Sequence, residues 1–249
     1  MANTNSEEPK VIYSAKDYAA IYKPAGLLMH PYKVPTKAGK QRIKEHTFAD
    51  WLVKKFPEVK KIGDNPEMRP GLVHRLDRET SGLILIARTP HGFTHFKHLF
   101  QSRDIKKTYQ ALVWGDLKKT TEVNKPIGIK EGTTRRVVER GKMQKEARTI
   151  FTPRQHFSFN KWELTLVEAS PKTGRTHQIR VHLASLHHPI IGDATYGWPE
   201  RDKHLEIKKT PLMLHAWKLE FLDPEEKAMS LEADTPPVWK DVIGRLEVE

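Results

Sequence analysis

Gly71-Leu72-Val73-His74-Arg75-Leu76-Asp77-Arg78-Glu79-Thr80-Ser81-Gly82-Leu83-Ile84-Leu85-Ile86-Ala87 sets two apolar runs, Leu72-Val73 and Leu83 to Ala87, on either side of a polar stretch. The second run has the length and composition of a buried strand, and the polar stretch reads as a bend between two strands. A titratable bend carried by buried strands is a natural place for a site. Taken alone, Asp77 could be a nucleophile, a general base or a turn-capping residue, and for an isolated Asp the structural role is the commonest.

Working outward toward the N-terminus, Val11 to Met29 reads as two short strands around Asp17, closing on the turn Lys23-Pro24-Ala25-Gly26. Tyr32 to His46 is Lys-rich with Pro35 and Gly39 and reads as an exposed loop. Thr47 is placed to cap a helix through Trp51, Leu52 and Phe56 that Pro57 closes. In the other direction, Phe93, Phe96, Leu99 and Phe100 predict a helix from His91 to Gln101, and Tyr109 to Trp114 alternates like a strand.

Thr120 to Gly141 is polar, basic and turn-rich, which predicts a hairpin or mobile loop before strands at Ala147 to Thr152 and Trp162 to Ala169. Gly174 to His188 reads as a loop feeding a helix on Ile179, Leu183 and Leu186, stopped by Pro189. Short strands are expected at Leu212 to Leu214 and Leu219 to Leu222.

The 249 residues carry 43 Lys and Arg against 31 Asp and Glu, a net charge of +12, and an excess of that size favours a polyanionic partner, nucleic acid first. The charge is uneven. Residues 100–150 hold thirteen basic against six acidic residues, whereas residues 220–249 hold nine acidic against three basic, which suggests a binding face and a solvated tail. Cysteine is absent, so thiol catalysis, disulfides and cysteine-based metal centres are excluded. The polar start and the lack of a long apolar run make a cytoplasmic location the expectation.

The run His74 to Leu83 resembles the signature around the catalytic aspartate of RluA-type RNA pseudouridine synthases. Four further blocks follow the order of that family: Lys23-Pro24-Ala25-Gly26-Leu27-Leu28, Lys107 to Val113, Thr173 to His182, and His188 to Asp193 with Tyr196-Gly197 just beyond. Together they span Val11 to about Pro224. The resemblance implies an α+β catalytic domain on a mixed, largely antiparallel sheet, with flanking helices and a central RNA-binding cleft. It implies a flexible N-terminus over residues 1–10, the synthase domain over 11–224 and an acidic extension over 225–249. Many relatives add an N-terminal RNA-binding module, and the early position of the signature makes its absence the expectation here.

The same resemblance assigns the reacting carboxylate to Asp77, its cationic partner to Arg180 and the uracil-facing ring to Tyr109. Arg75 is the candidate to fill the gap left by a flipped base, with His74 beside it as a structural hydrogen-bonder. Arg175 and His177, together with Arg180, make a cationic surface suited to RNA phosphate. His177, His182, His187 and His188 invite a metal reading, but their spacing matches no metal motif, and no metal or other cofactor is expected. The partner is then ribosomal or transfer RNA, and the chain a monomer. The competing reading is a non-catalytic RNA-binding protein, which has no use for an ionised Asp among phosphate-binding cations. A nucleoside hydrolase would share the carboxylate but release free uracil.

Overall fold

In a computed structural model, which describes residues 7–31, 33–36, 39–42, 45–205 and 210–248, the chain divides into two units. One holds residues up to Ile105 together with Lys218–Ala233, and the other holds Lys106–Trp217 together with 234–249.

In the first unit β1 (Lys10–Ser14) and β2 (Tyr18–Lys23) form an antiparallel hairpin around Asp17. Tyr32 to His46, read as a loop, contains a two-stranded pair, β3 (Lys33–Thr36) with β4 (Gly39–Arg42); Tyr32 and residues 37, 38, 43 and 44 lie outside the described residues, as do residues 1–6 of the expected flexible N-terminus. α1 (Phe48–Lys55) starts at Thr47, whose hydroxyl accepts the Asp50 N–H while Asp50 returns to the Thr47 backbone, a reciprocal cap. β5 (Ser81–Ala87) is buried at every position and pairs antiparallel with the equally buried β2, from Tyr18 opposite Ala87 to Lys23 opposite Gly82. Leu72-Val73 does not form a strand: only Leu72 bridges β5, at Ile86. The reason is Gly71, at φ +66°, where a Cβ would come within 2.6 Å of the Ala87 carbonyl oxygen; the chain turns there against β5 instead of running beside it. α2 (Pro90–Ser102) covers the sheet with Phe96, whose ring packs edge-on against Tyr18 and Phe221.

The second unit is built on a long antiparallel meander. β6 (Lys106–Trp114) leads to β7 (Thr121–Asn124), and three short strands follow, β8 (Ile127–Ile129), β9 (Arg136–Val138) and β10 (Lys142–Lys145), in a sheet of order β10-β8-β9. The stretch expected to be a hairpin or mobile loop is therefore a small sheet of its own. β11 (Arg148–Phe159) and β12 (Trp162–Pro171) pair along their length, and β12 pairs with β6. β11 runs past its expected end through Pro153, with a shift in register just beyond it. Its other edge is shared between β7, at Arg148–Phe151, and a terminal strand, at Phe157 and Ser158, so Pro153 falls in the gap where no N–H is needed.

α3 (Gln178–Ser185) ends with His187 at φ +62° and the His188 N–H on the Leu183 carbonyl, a left-handed stop that precedes Pro189. A short α4 (Pro199–Asp202) follows. Where short strands were expected at Leu212 to Leu214 and Leu219 to Leu222, a single strand is found, β13 (Leu214–Leu222), whose part from Lys218 onward pairs with β14 (Ala228–Glu232). The acidic end is not a solvated tail: β14 (Ala228–Glu232) pairs with β13, α5 (Pro237–Ile243) buries Trp239 in the core, and β15 (Glu247–Val248) is the strand that completes β11. From Glu225 on, its described carboxylates are exposed while apolar residues such as Trp239 supply the contacts, which net charge does not register. Among the described residues no helix is long and apolar enough to cross a membrane.

Candidate active site

The bend carrying Asp77 is held from beneath by the turn after β2. The buried Lys23 ammonium donates to the carbonyls of Pro24, Leu27 and Arg78 at 2.8, 3.0 and 3.0 Å. The Gly26 N–H donates to the Arg78 carbonyl at 2.9 Å, and the Arg78 Nε returns to the Gly26 carbonyl at 3.0 Å. Thus the turn and the residue next to Asp77 are clasped in both directions. Leu76 and Thr80 are buried anchors on either side, the Thr80 N–H donates to the Asp77 carbonyl at 3.2 Å, and the Asp77 side chain is left half-buried.

His74 sits in the same frame. Its Nε2 accepts the Leu85 N–H at 2.8 Å, which places its proton on Nδ1, and its ring stacks on Phe100 at 4.4 Å. Arg75 is exposed and has no hydrogen bond or ion pair among the described residues, whereas the neighbouring Arg78 pairs with Glu45. The alternation along Arg75, Leu76, Asp77 and Arg78 therefore buries one anchor and presents a carboxylate between two cations.

Burial pushes the Lys23 amine down to about 7, against the attraction of Glu79 and Asp77, which raises it. A lysine whose folded pKa is depressed binds fewer protons than the unfolded chain between that value and its ordinary 10.5, so its contribution to stability rises with pH across that window. The expected result is that the stability difference between the wild type and Lys23→Met changes in favour of the wild type by up to about 1.4 kcal/mol per pH unit from about pH 7 to 10. Urea denaturation across that range measures it, and a difference independent of pH would show that the three carbonyl acceptors hold the ammonium charged despite its burial.

The remaining residues read from the sequence lie in the second unit. Tyr109 is half-buried on β6 opposite Ala169 of β12, where the strand passes from partly exposed to fully buried positions, and its ring packs against the core. β12 runs out into the Thr173 to His177 loop, which a directed network fixes to α3. The Thr173 hydroxyl donates to Gln178 Oε1 at 2.7 Å and accepts the Arg148 N–H, while Gln178 Oε1 also accepts the Arg175 N–H. Gln178 Nε2 donates to the Thr149 hydroxyl, which donates to His182 Nδ1, and His182 Nε2 donates to the Lys125 carbonyl. His182 is thereby a neutral donor-acceptor, and burial holds its pKa below the ordinary histidine value.

Arg180 is buried and makes a bidentate pair with Asp193, Nε and Nη2 each 2.7 Å from a carboxylate oxygen. Asp193 also accepts the N–H groups of Thr195 and Tyr196. Burial raises its pKa, but the Arg180 hydrogen bonds and charge and the two backbone donors outweigh it, and the carboxyl lies below the usual carboxylate range. The loop closes here because Gly192, at φ +75°, lets the backbone pass Pro211 at a distance that a Cβ would reduce to 1.9 Å. The Tyr196 ring lies under the Arg180 guanidinium at 5.2 Å, and its hydroxyl accepts the Arg136 N–H and donates to His177 Nδ1 at 3.0 Å. Arg175 donates from Nε to the Glu146 carbonyl at 2.9 Å.

His74, Arg75 and Asp77 thus belong to one unit, and Tyr109, Arg175, His177 and Arg180 to the other. Within the second unit His177 and Arg180 are joined through Tyr196. Of the four histidines that invited a metal reading, three are engaged with protein groups: His177 on Tyr196, His182 in its network and His188 on the Trp114 carbonyl. Sequence reasoning assigned no role to Lys23, Gln178, Asp193 or Tyr196. The blocks Lys23-Pro24-Ala25-Gly26, Thr173 to His182, and His188 to Asp193 with Tyr196-Gly197 were the signal that could have found them.

The family model described as RNA pseudouridylate synthase matches residues 17–185. A ribosomal large subunit pseudouridine synthase D from Nitrosomonas europaea is 34% identical over 220 residues, 86% of this chain and 58% of that one. A tRNA pseudouridine synthase C from Vibrio vulnificus is 28% identical over 251 residues, 96% of this chain and 95% of that one. Among solved structures, human RNA pseudouridylate synthase domain containing 1 has the same fold, with a TM-score of 0.75 at 22% identity over 100% of this chain and 92% of that one. A family match over most of the chain, joined to a clasped aspartate bend and an antiparallel α+β framework, means that the chain belongs to the RluA-type RNA pseudouridine synthases, a family of isomerases.

Proposed function

We propose that the chain isomerises particular uridines in structured ribosomal or transfer RNA, the two substrate classes in the names of its relatives, with the Asp77 carboxylate as nucleophile. The observation that carries the reading is the clasped bend, which holds a half-buried carboxylate between the exposed Arg75 and Arg78. Such an arrangement suits a base that has left its stack, because the exposed Arg75 meets phosphate while the carboxylate meets the sugar.

The reaction breaks the bond from the ribose anomeric carbon to the ring nitrogen and makes one to a ring carbon. That carbon loses a proton and the nitrogen gains one, so atoms and electrons balance without a redox partner. In this scheme the Asp77 carboxylate attacks the anomeric carbon as the ring nitrogen leaves and is itself displaced when the turned ring carbon bonds there, Arg180 keeps it ionised, and Tyr109 lies against the uracil and passes the proton. Arg75 fills the space of the extruded base, and Arg175 and His177 bind the RNA backbone. The Arg180–Asp193 pair supports this scheme, since a guanidinium gripped on one edge can present only its remaining N–H groups in a set direction.

The experiment is to map pseudouridine in ribosomal and transfer RNA from cells lacking the protein, then add the purified chain to that RNA. The expected result is the loss of one or a few sites and their restoration in vitro. Unchanged maps together with an inactive purified chain would favour the non-catalytic binding protein, and release of free uracil a hydrolase.

A further inference from the structure

Basic residues on and around the small β8-β9-β10 sheet are not evenly neutralised. Lys125 pairs with Glu139 at 3.0 Å, Lys142 with Glu131, and Arg148 with Glu122 at 2.7 Å. Arg136, Lys145 and Arg175 have no carboxylate partner among the described residues, and these three line a single cleft of about 290 Å³ walled by Ile127, Ile129 and Met143. Arg136 Nε is moreover buried without a hydrogen-bond acceptor among the described residues. A buried guanidinium N–H left without an acceptor is costly, and a ligand oxygen would remove that cost.

We propose that this cleft binds one phosphodiester group of the substrate RNA, an inference that rests on the reading of the chain as an RNA-modifying enzyme. Three cations of one sign around a small cleft suit a compact anion. The backbone holds the cations in place. The Arg136 N–H is fixed on the Tyr196 hydroxyl, and Arg175 Nε on the Glu146 carbonyl, which leaves its terminal nitrogens for the ligand. Tyr196 lies between the guanidinium groups of Arg135 and Arg180, each 5.2 Å from its ring centre, so the cleft is one side chain away from the Arg180–Asp193 pair.

The test uses the full chain, an unmodified transfer RNA transcript as probe, and binding measured between about 50 and 200 mM salt. Arg136→Gln and Lys145→Gln should each reduce the slope of log affinity against log salt by about 0.7 to 0.9, the contribution of one phosphate contact. Each should also weaken binding about fivefold. Lys142→Gln removes the same charge from the same sheet at a position already paired with Glu131, and should change the slope by less than half as much. Equal effects at Lys142 and Lys145 would overturn the proposal in favour of a diffuse basic surface. Lys145 is exposed, so its variant reads out the cleft even if Arg136→Gln misfolds. Inorganic phosphate at constant ionic strength distinguishes the source. Phosphate-induced NMR shifts at the cleft together with unaltered RNA slopes in both variants would assign it to a free anion and overturn the proposal. A wild type that binds the transcript but forms no pseudouridine leaves the slopes readable, so failure of the catalytic reading and failure of the cleft are told apart.

Discussion

Asp77→Asn is expected to lower pseudouridine formation by about a thousandfold or more, with RNA affinity held within about threefold of the wild type. The substitution keeps the shape of the side chain and removes its charge and nucleophilicity. The bend itself is held by Lys23, Gly26, Leu76 and Thr80 through hydrogen bonds with backbone groups and burial in the core. Removing one anion from between Arg75 and Arg78 does not weaken phosphate attraction. Single-turnover kinetics and filter binding on the substrate RNA measure the two effects. Turnover near wild type would eliminate Asp77 as nucleophile, and a parallel loss of affinity and thermal stability would make it a structural residue.

Asp193→Asn is expected to destabilise the fold by about 3–5 kcal/mol, because it leaves the Arg180 guanidinium buried beside a neutral amide. The pH dependence follows from the direction of the Asp193 shift. A carboxyl whose folded pKa is depressed contributes stability that is complete above its ordinary value near about 4 and is lost as pH falls through the lower folded value. The gap between wild type and variant should therefore be constant from neutral pH down to about 4 and close below it. Urea denaturation at several pH values measures it. A double variant separates stability from chemistry: Arg180→Met with Asp193→Leu replaces the buried pair by apolar groups and should recover most of the lost stability. It should not recover turnover if Arg180 is the partner of Asp77, and full activity in that double variant would remove Arg180 from the mechanism.

Local signals explain which parts were legible. The all-buried composition of Leu83 to Ala87, the Thr47 cap with Asp50 three residues on, and the aromatic spacing of α2 each act within a few residues, so the pattern carries the outcome. Leu72-Val73 misled because its apolar character is satisfied by packing after a left-handed glycine, and periodicity does not record a positive φ. The acidic end misled for a related reason. Net charge describes its outer face, while Trp239 and the β14 and β15 pairings depend on strands far away in sequence.

By itself the sequence determined the buried strand that follows the bend, the capped helix after Thr47 and the aromatic helix after it, the position of the aspartate signature, the basic character of the chain and the absence of thiol chemistry. Short-range patterning and a family signature are properties of consecutive residues, and reading them needs no partner. Only the tertiary structure decided that Lys23 clasps the bend, that Asp193 grips Arg180, that Tyr196 links Arg180 to β9, and that three basic residues around one cleft lack carboxylates. Each of those depends on groups that meet across a gap in the chain, such as 13 residues for Arg180 and Asp193 and 60 for the Arg136 backbone and Tyr196. Burial sets the consequences, because a charge enclosed with one partner is held in direction and in protonation, whereas the same charge in water is screened and free to turn.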